Sequence, residues 1–281
     1  MMHVLRFTVM AGFFLLMTGL VHADGGVFKV CADPNNPPLS LENGKGYENK
    51  IANLIADALG QKLEYTWFPQ RLGFIRNTLK AKLPDSESYK CDVVMGVPDG
   101  FEIAATTRPY YRSTYVLVLV KGGALDAVKA PNDLDRLPQD VRSKLRIAMF
   151  DGAPGTTWLL NHGLMTQGIP YQTMTGDTSE NAAQVLLRDF TDKKLDMVIL
   201  WGPMAAYLSK EKPGMFEVIP MISEPGLRFD FAMSMGVRIP DKERKKVLDD
   251  LIEKKGAEIE AILKDYGVPL LPLESAATKP H

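Results

Sequence analysis

The chain has 281 residues, 46% of them hydrophobic and 24% charged, an ordinary globular composition with enough length for one large domain or two smaller ones. Thirty-three Lys and Arg against 34 Asp and Glu leave a formal charge of −1, so there is no basic footprint for nucleic acid and no polybasic stretch for anionic lipid. Two cysteines are too few for a disulfide-scaffold miniprotein or for a zinc site built from three or four thiolates.

Residues 1–23 stand apart from the fold. His3 and Arg6 form a short basic region, Phe7 to Leu20 is an uncharged apolar run, and Val21-His22-Ala23 puts small residues at the −3 and −1 positions. This layout predicts a secretory signal cleaved after Ala23 and export to the periplasm. The rival reading is an uncleaved anchor, but a spanning helix needs about 20 apolar residues and this run is shorter. No other apolar run is long enough, so the cleaved chain is not expected to span a membrane. In an oxidising compartment Cys31 and Cys91 can pair, which by loop entropy adds about 4 kcal/mol. The alternative is two buried thiols on separate strands.

Short apolar runs then alternate with 3.6-period stretches. Val27 to Ala32 reads as a strand, and Asp33-Pro34-Asn35-Asn36-Pro37-Pro38 as a loop. Tyr47 to Leu59 puts Ile51, Leu54, Ile55, Ala58 and Leu59 on one helix face, with Gly60 as the stop. Leu63 to Phe68 is a second strand, and Arg71 to Lys82 a second helix with Ile75, Leu79 and Leu83 inward. Asp92 to Val97 is an apolar strand of the sort buried in a parallel sheet. The order β-α-β-α-β predicts an α/β unit with right-handed crossovers.

A further strand runs from Tyr115 to Val120, after which a second cycle begins. It comprises a strand at Leu145 to Phe150, a tight loop at Asp151 to Gly155 and a helix from Thr156 to Gly163. A helix at Asn181 to Asp189, a strand at Met197 to Leu200 and a helix at Pro203 to Leu208 follow. Phe229 to Val237 reads as a strand, and Asp241 to Tyr266 as one long or Gly256-broken helix. Two extended stretches, Val116–Val120 and Phe229–Val237, connect the two units. Ligands of open α/β sheets bind beyond the carboxyl ends of strands, which places Asp33, Asp99, Asp151 and Trp201 around one cleft.

This order resembles the periplasmic solute-binding proteins of the amino-acid-receptor type. The pieces that carry the likeness are Val30-Cys31-Ala32-Asp33, Gly46-Tyr47-Glu48, Cys91-Asp92-Val93-Val94-Met95-Gly96, Arg108-Pro109-Tyr110-Tyr111 and Gly155-Thr156-Thr157. Trp67-Phe68-Pro69-Gln70-Arg71, Gly73 to Leu79, Arg108 to Tyr115 and Leu200-Trp201-Gly202-Pro203 resemble the MxaJ/XoxJ branch, encoded beside PQQ-dependent methanol dehydrogenases. Phe150 to Thr156 and His162-Gly163-Leu164 look more like the MxaJ side.

The resemblance implies an α/β chain of the type II periplasmic solute-binding fold, with two lobes, a cleft and a two-stretch hinge. Residues 24–118 would begin lobe one, 119–228 would form lobe two, and 229–281 would be the return hinge and the C-terminal helices of lobe one.

Amino-acid receptors fork an Arg onto the ligand carboxylate after the third lobe-one strand. Here that stretch is Val97 to Ile103, which contains no Arg. The carboxylate expected after Ile199-Leu200 is replaced by Trp201. Without both charged grips, tight binding of a zwitterion is not expected. The remaining candidates for a ligand or partner are Asp33, Asn35, Arg71, Asp99, Tyr110, Asp151, Thr156, Thr157 and Trp201.

Each has a plainer reading. Thr156 and Thr157 offer either an anion seat or a helix cap. Arg71 and Arg76, near Trp67, Phe68 and Phe74, form either a docking patch or surface charges with buried stems. Tyr110 stacks a ligand or simply packs. Catalytic machinery is absent: after cleavage only His162 and the terminal His281 remain, and no Walker, Rossmann, Gly-x-Ser-x-Gly or His-Glu-x-x-His motif occurs. No cofactor and no metal site is expected. The expected function is that of a non-catalytic accessory of methanol oxidation whose partner is the quinoprotein dehydrogenase. The alternative is a transporter receptor for some other small solute.

Overall fold

A computed structural model describes residues 25–173 and 179–273. The predicted signal segment and its cleavage point lie outside the described residues. Lobe one starts with β1 (Val27–Ala32), α1 (Tyr47–Leu59) and β2 (Lys62–Trp67), then a short α2 (Phe74–Asn77) and β3 (Val93–Pro98). A long strand, β4 (Tyr111–Val120), leads into lobe two, with β5 (Ile147–Phe150), α3 (Pro154–Asn161), β6 (Gly168–Tyr171), α4 (Ala182–Thr191), β7 (Met197–Trp201), α5 (Gly202–Glu211) and β8 (Phe216–Pro220). The chain returns through β9 (Asp230–Val237) to α6 (Lys242–Lys254) and α7 (Gly256–Asp265). Among the described residues, no helix is long and apolar enough to cross a membrane.

The strands follow the order β2-β1-β3-β9-β4-β7-β5-β6, with β8 also paired to β4. β1 runs parallel to β2 and β3, and β5 runs parallel to β6 and β7. These are the parallel α/β halves that the alternating pattern predicts. In lobe one, α1, α6 and α7 cover Phe28, Val30, Tyr47, Ile51, Ile55, Met235, Leu248, Ile259 and Leu263. In lobe two, α3 lays Trp158 and Leu159 on one sheet face, while α4 and α5 lay Leu186, Phe190 and Leu208 on the other. At about 1.5–3 kcal/mol per fully buried large apolar side chain, each lobe holds a core of its own.

β4 belongs to both lobes. Tyr111 to Thr114 pair with β9, and Tyr115 onward pairs with β7 and β8. The strand therefore starts four residues before the predicted Tyr115. Its first part, Tyr-Arg-Ser-Thr, lacks apolar alternation and is held by polar groups instead. Ser113 Oγ donates to Pro269 O at 2.6 Å, and Thr114 Oγ1 reaches Met221 O and Phe229 O at 3.2 and 3.3 Å.

Arg112 Nε donates to Asp230 Oδ2 at 2.9 Å across the hinge pair. Burial pushes the Asp230 carboxyl up, but the Ser223 hydroxyl and the Arg112 guanidinium together hold it below its ordinary range. A depressed carboxyl stabilises the fold above its unfolded pKa and loses that contribution as pH falls. Asp230→Asn is expected to cost about 1–3 kcal/mol near neutral pH, a difference that shrinks in acid; urea titrations at two pH values check it.

The predicted helix from Arg71 to Lys82 is reduced to the single turn of α2. Thr78 Oγ1 donates back to Phe74 O at 2.6 Å and the backbone turns away. Arg238, which is buried, donates to Leu79 O at 3.2 Å and Cys91 O at 2.6 Å, taking a carbonyl that a longer helix would use internally. Leu83, predicted inward, is exposed, and its N–H goes to Ser88 O. The predicted helix from Asp241 divides at Lys255 into α6 and α7. β8 is a strand that the apolar pattern did not announce.

Cys31 and Cys91 form a disulfide with Cα atoms 5.4 Å apart. It lies in an apolar cluster with Phe74, Ile75, Leu79, Val94 and Val97, on the opposite face of the sheet from α1.

Candidate functional site

The loop after β1 forms the lobe-one side of the interlobe face. Asp33 folds it: Oδ1 accepts from Asn35 N at 2.8 Å and Oδ2 from Gln70 N at 2.6 Å. Asn36 Nδ2 donates to Gln70 Oε1 at 2.8 Å, tying this loop to the segment that carries Arg71.

Asn35 crosses to lobe two. Asn181 Nδ2 donates to Asn35 O at 3.2 Å, and the side-chain amides of Asn35 and Gln184 exchange hydrogen bonds at 3.3 and 3.4 Å. Asn181 and Gln184 also cap α4: Asn181 Oδ1 accepts from Gln184 N at 3.0 Å, and Gln184 Oε1 accepts from Asn181 N at 2.9 Å. The amides that reach across the cleft are thus held in place by their own helix end. Each such bond contributes a net 0.5–1.5 kcal/mol, enough to bias closure without making it permanent. Asn35→Ala is expected to shift the lobes toward an open form, seen as a larger radius of gyration in solution scattering, with the near-ultraviolet signal of the cores retained.

Trp201 ends β7 and is half-buried among the hinge aromatics. Its ring lies 5.4 Å from Tyr115 and 6.1 Å from Phe231, with the Arg228 guanidinium 5.0 Å from the Phe231 centroid. An aromatic group therefore occupies the strand end where the charged grip was sought. Glu48, which the sequence offers only as part of a family motif, is a buried carboxyl shifted well away from its ordinary value. It stands in the first turn of α1, 9% exposed, with its carboxylate so close to Gly96 that a Cβ there would sit 2.3 Å from Oε1. Burial raises its pKa from 4.5 to about 8, and the neighbouring charge of Asp33 adds to the shift. A helix N-terminus favours the charged form, but desolvation outweighs it here.

The remaining candidates separate. Tyr110 is core: 6% exposed, with its hydroxyl donated to Met95 O at 2.8 Å. The Thr156 hydroxyl is spent on Phe150 O at 2.6 Å, while Thr157 and Asp151 are exposed on lobe two. Asp99 is exposed at the end of β3, within 3.4 Å of the Thr106 and Ser234 hydroxyls. Arg71 lies over the Phe68 ring at 5.2 Å. His162 stacks on Trp158 at 3.8 Å and meets Asp135 at 2.7 Å. It caps the C-terminal end of α3, roughly 12 Å along that helix from Pro154.

Asn35 and Asp33 thus belong to one loop, and Asn181 and Gln184 join them from lobe two. The Asn-x-x-Gln spacing marks a helix start in the sequence; the partner across the cleft has no local signature.

No protein-family model matches the chain. Protein MoxJ of Paracoccus denitrificans is 30% identical over 264 residues, covering 89% of this chain and 91% of that protein. The chain belongs to the MoxJ family. Protein MoxJ of Methylorubrum extorquens is 28% identical over 90% of this chain and 84% of its own length. Among solved structures, the periplasmic binding protein XoxJ from Methylobacterium extorquens AM1 matches with a TM-score of 0.69 at 34% identity, over 88% of this chain and all of that one. MxaJ from Methlophaga aminisulfidivorans MPT matches with 0.68 at 25%, over 87% and 100%. These scores do not separate the MxaJ side of the family from the XoxJ side. An amino-acid transporter's binding protein shares the fold at 19% identity and a TM-score of 0.57, a likeness of architecture alone.

Proposed function

We propose that the chain is exported, cleaved after Ala23, and works in the periplasm as a non-catalytic accessory of the quinoprotein methanol dehydrogenase, binding it or assisting its maturation or activation. The observation that carries this reading is the interlobe bridge. Asn35, Asn181 and Gln184 link the lobes through the chain's own groups, a contribution to closure that needs no captured solute. The cleft surroundings agree: Val97 to Ile103 supplies no guanidinium, Trp201 fills the strand end, and the Asp33 carboxylate makes the lobe-one wall unfavourable for an anion. The only histidine in the described residues after the predicted cleavage point is occupied by Trp158 and Asp135, away from the cleft. A helper of this kind needs only to bind one state of its partner better than another; about 1.4 kcal/mol shifts the ratio tenfold.

The test is retention of the mature chain by methanol dehydrogenase with and without its quinone, compared with thermal shifts in a panel of small solutes. Retention by one form over the other supports the accessory role. Retention by neither, with a solute that raises the melting temperature, makes the chain a transporter receptor instead.

A further inference from the structure

The segment Phe68 to Arg76 carries a feature that the fold does not require. Leu72 is 94% exposed, the most exposed large apolar side chain among the described residues. The loop that displays it is braced. Gln70 is held by Asp33 and Asn36, Phe74 N donates to Arg71 O at 2.9 Å, and Phe74 and Ile75 are sunk in the cluster around the disulfide. Gly73 sits at φ +86°, and a Cβ there would come within 3.1–3.2 Å of Asn77 Nδ2 and Arg76 Nη2. The Arg76 guanidinium therefore lies beside Gly73, the residue after Leu72, while that of Arg71, the residue before it, lies over Phe68. Among the described residues neither guanidinium has a carboxylate partner, in a chain whose charges otherwise nearly balance.

A rigidly presented leucine between two unpaired arginines has the make-up of an interface hot spot: an apolar anchor, arginines ready for bidentate pairing, and little entropy left to lose on docking. We propose that Arg71, Leu72 and Arg76 form the docking point of lobe one for a partner protein, with Leu72 entering an apolar recess rimmed by carboxylates. This rests on the accessory-protein reading and adds to it the chemistry of the partner surface. The same loop that braces Gln70 also sends Asn35 to lobe two, so docking and lobe closure share one segment of backbone.

The experiment measures binding of the full mature chain to immobilised methanol dehydrogenase by surface plasmon resonance. Leu72→Glu and the double variant Arg71→Glu/Arg76→Glu are each expected to raise Kd at least about tenfold. Leu72→Met should retain binding, and the double variant should also flatten the salt dependence. All three side chains are exposed or half-exposed, so unchanged melting temperatures check that the variants fold. Wild-type binding with an unaltered Kd for Leu72→Glu overturns this assignment and leaves the accessory role standing. No binding by the wild type overturns both. A wild-type dimer that Leu72→Glu converts to monomer assigns the patch to self-association and also overturns the proposal.

Discussion

Cys31→Ser/Cys91→Ser, or full reduction of the native chain, is expected to lower unfolding stability by about 2–4 kcal/mol, with the denaturant midpoint moving down at nearly constant slope. The bridge closes a separation of 60 residues that contains α1, β2, α2 and the irregular stretch from Thr78 to Lys90. That stretch has little regular structure to restrain it once the cross-link is gone. Its remaining anchors are few: the Thr78 hydroxyl on Phe74 O and the Leu83 N–H on Ser88 O within the stretch, and from outside it the Thr66 hydroxyl on Lys90 O and Arg238 reaching Leu79 O and Cys91 O. Removing both thiols therefore releases a long loop in the unfolded state and loosens the base of the Arg71–Arg76 segment in the folded one. Equal urea midpoints for oxidised and reduced protein would show that Arg238 and the apolar cluster suffice without the bridge.

Glu48→Gln is expected to remove most of a pH dependence that the wild type shows between pH 5 and pH 8. The folded chain holds the Glu48 proton up to about pH 8, whereas the unfolded chain releases it near its ordinary value of 4.5. Between those values the folded state binds more protons, so stability falls as pH rises, by about 1.4 kcal/mol per unit from this group. The total from pH 5 to pH 8 is roughly 4 kcal/mol. Gln has the same shape and no charge to desolvate, so the variant should match the wild type near pH 5 and exceed it by several kcal/mol at pH 8. Urea titrations at the two pH values read this directly. Parallel stability profiles for the two proteins would mean that Glu48 is ionised in the fold with solvent access that its 9% exposure does not suggest.

The legible parts of the sequence are those whose burial is periodic. β1 and α1 fall at the expected residues, Gly60 takes the left-handed conformation at φ +64° that ends α1, and the apolar run after Cys91 is the interior strand β3. α2 is shorter than its sequence predicts because Ile75 and Leu79 have helical spacing whether or not the turns between them form. Tyr110 was drawn to the cleft by its aromatic ring, but a buried hydroxyl needs an acceptor and Met95 O supplies it. Asn35 stood among the candidates only as a loop residue after a strand, while Asn181 and Gln184 had no signal beyond a helix cap.

Composition, apolar period and the glycine and proline punctuation by themselves determined the α/β alternation and the two units, and the resemblance to amino-acid receptors added that their charged pair has no counterpart here. These are local properties, and water enforces them residue by residue. Only the tertiary structure decided that Asn35 meets Asn181 and Gln184 from the other lobe, that Glu48 is pressed against Gly96, and that the loop displaying Leu72 is tied through Gln70 to Asp33 and Asn36. Each depends on segments far apart in the chain arriving at one place, where hydrogen-bond geometry and desolvation act over a few ångströms and leave no periodic trace in the sequence.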